Sequence, residues 1–432
     1  MKRFLSLCLV LAMLLGMTAC GGAGNGDAEK YQPDETSPED VREITDLMKD
    51  IRAGDVHISP DTRSGTVAAA EFGIRLIQNS TPVGDNLLLS PLSVLCALAM
   101  AANGADGETL AQMETAFGAS VQELNEYLCW YLNALPQGEN YSLSIANAIW
   151  VNEVSRFAAN RDFLQLNADY YGADIYAEPF NAATGAHIND WVNDQTKGMI
   201  PSILDQVPPE ALMYLVNALA FEAQWQNPYN TYQVHEHVFT KADGTGQTVE
   251  FMYSGENYYL EDEDAIGFIK MYEGNAYAFV ALLPKEGVSP EKYLESLTGE
   301  ELIGLINNAQ RRSVHASMPK FETEYSAELS EVLKNMGVVD AFDPDTADFS
   351  VLGTSSEGNI YISRVLHKTF ISVGELGTRA GAATVVEVAE ATGAFSPEEI
   401  KEVHLDRPFV YLLIDCETGL PFFIGILADA AQ

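Results

Sequence analysis

Apolar residues recur along this chain at two spacings, and the spacing changes from segment to segment. In TVAAAEFGIRLIQ (66–78) and LSVLCALAMAANG (92–104) they return every three or four positions or fill the run, which predicts two helices. YAFVALLPK (277–285), FVYLLIDC (409–416) and PFFIGIL (421–427) are short, apolar and rich in β-branched and aromatic residues, and predict strands. The two patterns alternate irregularly from about Thr66 to Gln432, without a linker and without an internal repeat. One large α+β domain over residues 66–432 is expected. Residues 21–65 differ: they open with GGAGNGD and carry 11 acidic against 5 basic residues. That composition predicts a solvated acidic tether over residues 20–65. Within it Ile44, Leu47, Met48 and Ile51 have helical spacing, so a short helix docked on the domain, or a nascent one, is expected there.

The first residues read MKRFLSLCLVLAMLLGMTAC. Lys2 and Arg3 precede an apolar stretch from Phe4 to Met17, shorter than the ~20 residues of a comfortable membrane span. Small residues follow, so 1–19 reads as a secretory signal peptide. Met17-Thr18-Ala19-Cys20 is similar to a bacterial lipobox, in which Cys20 is lipidated and becomes the first mature residue. Ordinary cleavage after Ala19 is the alternative. The rest is expected to be exported, and either anchored at the bacterial cell surface through the Cys20 lipid alone or extracellular.

Asp and Glu total 62 against 24 Lys and Arg, a net charge of −38, and loss of Lys2 and Arg3 takes it to −40. Such a field repels phosphate backbones and heparin-like polyanions, which argues against nucleic acid and heparin as partners. Cys96, Cys129 and Cys416 remain after Cys8 and Cys20 are set aside. They are odd in number and lack metal-like spacing, so buried free thiols are expected. The chain has no HExxH, GxSxG, GxxxxGK[ST] or strand-linked GxGxxG. His235-Glu236-His237 lacks an evident third ligand, and no metal or cofactor is expected. Ser90, Ser93, Asn217 and His367 can be assembled on paper into a hydrolytic site, but nothing local marks either serine as a strained nucleophile.

The informative stretch is HKTFISVGELGTRAGAATVVEVAEA (367–391). At period two, Thr378, Ala380, Ala382, Thr384, Val386 and Val388 share one face, and Arg379, Gly381, Ala383, Val385, Glu387 and Ala389 share the other. Both charges fall on the second face, so the first can enter a sheet over a buried core. An ordinary half-buried strand or an Ala/Gly linker has the same composition.

Glu375, Gly377, Thr378, Arg379, Ala380, Gly381, Ala382, Ala383 and Thr384 resemble the hinge of a serpin reactive-centre loop, with Arg379 where that family usually has Glu. Further motifs follow in the family's order: Asn86–Ser93, Asn189-Asp190-Trp191-Val192 with Thr196–Ile200, Leu215–Ala218 running into Phe221-Glu222-Ala223-Gln224-Trp225, Met318-Pro319-Lys320-Phe321, Arg407-Pro408-Phe409 and Pro421–Gly425. Glu222 stands where inhibitory members often carry Lys. The ending Ala428-Asp429-Ala430 lacks the usual Asn-Pro.

The resemblance implies a central mixed sheet with helices around it and the loop (about 375–405) exposed as bait. It implies a single-use inhibitor rather than an enzyme. A serine protease forms an acyl-enzyme with the loop, and the freed hinge inserts as a strand before the ester is hydrolysed. About twelve ladder bonds at ~1 kcal/mol net would release on the order of 10 kcal/mol. Ser90, Ser93, Asn217 and His367 match the family's shutter, and Trp225 its breach. Counting 17 positions from Glu375, as inhibitory members do, ends at Ala391, so the reactive bond is expected at Ala391–Thr392. A small residue there suits elastase-like or subtilisin-like proteases. A neighbouring bond, or Phe395–Ser396 for a chymotrypsin-like protease, is the alternative. The partner is then a protease held covalently by a monomer. The competing readings are a non-inhibitory serpin-fold carrier or binding protein, a solute-binding lipoprotein and a hydrolase.

Overall fold

The structure is a computed structural model that describes residues 44–80, 84–153, 157–356, 358–378 and 400–431. Helix α1 (Thr62–Ser80) contains the first predicted helical run and starts at Asp61, whose carboxylate accepts the Ser64 backbone N–H at 3.1 Å. The second run becomes α2 (Pro91–Ala102). Pro91 stands at its start, where a missing N–H costs nothing. Every residue of α2 is buried. A helix apolar all round belongs in a core, and α2 packs beneath a large sheet.

Seven strands build that sheet: β1 (Thr45–Asp46), β2 (Tyr141–Asn152), β3 (Asp174–Glu178), β4 (Met213–Gln224), β5 (Phe321–Glu328), β6 (Arg364–Val373) and β7 (Gly377–Thr378). Their spatial order is β1-β3-β2-β4-β7-β6-β5. Strands β2 and β3, and β4 and β6, pair parallel, whereas the other neighbours are antiparallel, so the sheet is mixed. A second, nine-stranded sheet includes the three predicted strands as Tyr277–Pro284, Phe409–Asp415 and Pro421–Leu427, all fully buried. The α+β expectation is met.

Alternation along β4 sorts its side chains between two cores. Leu215, Leu219, Phe221 and Ala223 join the main core with Phe279, Tyr411 and Phe422 of the second sheet. Tyr214, Val216 and Ala218 face the other way, with Leu366 of β6, onto Ile188, Trp191 and Val192 of α3 (Ala182–Gln195).

The stripe from Ile44 to Ile51 is not a helix. Thr45 and Asp46 pair with Ala177 and Tyr176 as an edge strand, and the Leu47 N–H donates to the Ile175 carbonyl at 2.9 Å. Leu47, Met48 and Ile51 still pack on the core, because the turns after β1 bring them to one side. The free edge of β3 offers backbone partners that a local pattern cannot reveal. Cys96 and Cys129 are buried, and Cys416 is only partly so. Burial pushes the Cys96 thiol up to about 12, which keeps it unreactive.

Candidate functional site

The site is a slot between β4 and β6. At its lower end the two strands pair directly, Tyr214 with Arg364, Leu215 with Val365 and Val216 with Leu366. Above Val216 and Leu366 this direct ladder stops among the described residues. At the top β7 sits between the strands, with Thr378 opposite both Ala223 and Val373. The register is the same at both ends, so β4 residues 217–222 and β6 residues 367–372 border levels across which, among the described residues, no strand pairs.

Four buried polar residues hold the lower end. Ser90 precedes α2 and Ser93 lies one turn on, so both meet the strand ends. The Ser90 backbone N–H donates to His367 Nε2 at 3.1 Å. His367 Nδ1 must then carry the proton and donate to Asn217 Oδ1, 3.1 Å away. The Ser93 hydroxyl donates to the same oxygen at 2.9 Å. Burial pushes the His367 pKa down to about 3, so the ring is neutral. Its Nε2 is occupied by a backbone amide and is closed to solvent, so the ring cannot serve as a general base for Ser90. Two atoms here are buried without a partner among the described residues, Ser90 Oγ and Asn217 Nδ2.

The upper end is built around Trp225. Its backbone N–H donates to the Leu376 carbonyl and its indole N–H to the Gly374 carbonyl, both at 2.8 Å. The indole stacks on Tyr272 at 4.4 Å between ring centroids, and the Tyr229 N–H donates to the Glu375 carbonyl at 2.9 Å. The chain from 374 to 376 is therefore held on the end of β4 through its backbone. Gly377 allows the contact: a Cβ there would stand 2.0 Å from the Ala223 oxygen. Thr378 is buried and turned into the core, its hydroxyl 2.5 Å from the Tyr272 hydroxyl. Glu375 pairs with Lys320 Nζ at 2.8 Å. Burial raises its pKa, but the hydrogen bond and charge of Lys320 outweigh this and hold the carboxyl below its ordinary value.

Of the expected site residues, Glu375, Gly377, Thr378 and Trp225 gather at the top of the slot, and Ser90, Ser93, Asn217 and His367 at the bottom. Arg379 to Thr384, Ala391, Thr392 and Cys20 lie outside the described residues. Tyr272, Tyr229 and the pairing role of Lys320 were not foreseen. Lys320 stands in a quoted motif, whereas nothing in the local sequence marks either tyrosine. His235 and His237 lie exposed on the strand Val234–Thr240, against the rings of Tyr253 and Phe251. Among the described residues, no group of three or more His, Cys, Asp or Glu could hold a metal ion.

A family model described as Serpin (serine protease inhibitor) matches residues 67–430. Leukocyte elastase inhibitor A of Mus musculus is 32% identical over 380 residues, covering 82% of this chain and 96% of that protein. Among solved structures, the thermophilic serpin tengpin in its native state aligns with TM-score 0.85 and 49% identity, over 90% of this chain and all of that one. Thyroxine-binding globulin in complex with thyroxine aligns with TM-score 0.74 and 25% identity, over 85% of this chain and 99% of that one.

Proposed function

Because this chain belongs to the serpin family, we propose that it is a single-use inhibitor of serine proteases that works by inserting its own loop into the slot between β4 and β6. One observation carries the reading: β7 already pairs with both strands at the top, through Gly377 and Thr378 on β4 and through Thr378 on β6, and below it lie levels of the same register that no described residue pairs across.

The chemistry belongs to the target. The protease serine adds to the carbonyl of Ala391, the Ala391–Thr392 peptide bond breaks, and the Thr392 amine leaves with the downstream chain. Residue 391 is then held as an ester. Once cut, the segment after Thr378 is free to run down the slot antiparallel to β4 and β6. Each ladder bond it gains contributes about 1 kcal/mol net. Register fixes the levels: Ala380, Ala382 and Thr384 face the main core with Thr378, and Thr384 arrives between Asn217 and His367. There the strand must part the Asn217–His367 bond, and a Thr384 hydroxyl is suited to Asn217 Nδ2, which has no partner among the described residues. Small side chains on this face support the inhibitory reading, since a bulky or charged one would block entry. The named elastase inhibitor among the relatives, with Ala at the expected bond, favours elastase-like or subtilisin-like targets. Attachment through a lipid on Cys20 would place this trap at a bacterial cell surface, and Cys20→Ser should release it from the membrane fraction.

The test is to mix the chain with an elastase-like and a subtilisin-like protease. A denaturant-stable covalent complex and a released peptide beginning at Thr392 are expected. The thyroxine-bound neighbour represents a second reading, a non-inhibitory carrier. Clean loop cleavage with no complex, by either protease, would replace the inhibitory reading with that one.

A further inference from the structure

We infer that Lys270 positions the hinge for insertion: its buried ammonium lies against the rings of Trp225 and Tyr229, the two residues whose N–H groups hold residues 374–376 at the top of the slot. The inference rests on the insertion reading above and adds a residue to it. Lys270 belongs to the strand Ala265–Met271, where its neighbours Gly267, Phe268 and Ile269 are buried and uncharged. It is the only lysine or arginine buried among the described residues, with 2% of its surface exposed. A charge in such a place is unfavourable unless it is paired and hydrogen-bonded. Methionine or leucine would satisfy the pattern of this strand, so the informative part is what the charge touches.

Its Nζ donates to Glu256 Oε1 at 2.9 Å, and the Ser254 hydroxyl donates to the same oxygen at 2.7 Å. That leaves the Tyr229 hydroxyl to donate to Ser254 Oγ, 3.3 Å away. The ammonium stands 4.3 Å from the centroid of the Tyr229 ring and 5.3 Å from that of Trp225, both within cation–π range. Burial pushes the Lys270 pKa down, but its contacts with Tyr229 and Glu256 outweigh this, and the amine keeps its charge. Between the two rings the backbone is tied to the same strand: the Gln226 N–H donates to the Met271 carbonyl at 3.0 Å, and the Asn227 carbonyl lies 3.5 Å from Nζ. One ammonium thus fixes both ends of the turn 225–229. From that turn Trp225 donates to the Gly374 and Leu376 carbonyls and Tyr229 to that of Glu375. Without the charge the two rings lose their common anchor, and all three hydrogen bonds to the hinge lose fixed donors. Thr378 is then held in register less of the time when the loop is cut.

The test uses the full chain with Lys270→Met and Glu256→Gln combined, which removes both charges and leaves neither buried alone. Hydrogen exchange at the Trp225 and Tyr229 amides, read by mass spectrometry on peptides covering 221–233, should quicken by about two- to fivefold, the size of a cation–π contact. Exchange in the buried strand Phe409–Asp415 should stay as in the wild type. The unfolding midpoint should not fall, yet the inhibitor consumed per elastase-like protease trapped should rise by a similar factor. Ser254→Ala, a smaller change that loosens Glu256 and Tyr229 together, should move both readouts in the same direction. Unchanged exchange and stoichiometry in both variants would overturn the role of Lys270. So would a loss of protection throughout the chain with a lower midpoint, which marks a core residue and no more. A wild-type chain that forms no complex with an elastase-like or a subtilisin-like protease would instead overturn the insertion reading, with exchange at the turn still deciding whether Lys270 anchors it.

Discussion

Burial sets the chemistry of His367. Its folded pKa of about 3 lies below the ordinary 6.5, so between these values the unfolded chain binds more protons than the folded one. The stability contribution is intact above about pH 6.5 and falls steadily as pH drops towards 3, by on the order of 2 kcal/mol at pH 5. Because the same ring closes the slot through Asn217, acid should also ease the parting of β4 and β6. Unfolding midpoints of the wild type and His367→Gln at pH 7.5 and pH 5 would check this. The variant should lose part of the pH slope, and identical slopes would remove His367 as the cause. Gly377 is a second constraint at this scale. Its Cβ would meet the Ala223 oxygen at 2.0 Å, so Gly377→Ala should push β7 off β4. The variant should consume several-fold more inhibitor per protease trapped, as counted by titration. An unchanged stoichiometry would mean that the hinge does not enter along this path.

The strand proposed to fill the slot follows period two in sequence, and its register would be anchored at Thr378. The inward face would then read Thr, Ala, Ala, Thr, Val, Val from residue 378 to 388. Thr378→Arg or Ala382→Glu would put a charge into the main core, at a cost of several kcal/mol. Both should convert inhibitor into substrate, visible as cleaved chain without complex, and Thr378→Arg more severely because that residue enters first. Full inhibition by both variants would mean that the inward face is misassigned. At this scale much was legible. The run 66–78 lies within a helix, 92–104 is helical as far as Ala102, and 277–285, 409–416 and 421–427 contain the strands, because apolar spacing is a local property. The stripe from Ile44 to Ile51 misled because its partner is the edge of β3, more than a hundred residues away, and an available edge overrides a weak helical pattern.

For the whole molecule, charge is the dominant long-range property. A net charge of −38 should attract a basic protease and repel an acidic one. The association rate with a basic target should fall as salt is raised from low to physiological ionic strength, where the screening length shrinks to ~8 Å. A rate indifferent to salt in stopped-flow mixing would remove steering as a factor. The described residues from 44 onward form one compact unit, so the slot is bordered by strands of that unit rather than of two lobes.

The sequence by itself determined two core helices and three buried strands, the acidic field, the period-two run of small residues after Thr378 and the motif order that points to a family. These follow from side-chain type and spacing, which tertiary contacts do not alter. Only the tertiary structure decided that His367 is neutral and bonded to Asn217, that Trp225 and Tyr272 hold residues 374–378, and that the direct ladder between β4 and β6 runs up to Leu366 and, among the described residues, no further. Each of these depends on burial or on a distance between residues far apart in the chain, 150 positions in the case of Asn217 and His367. Such distances are set when strands pair and cores close.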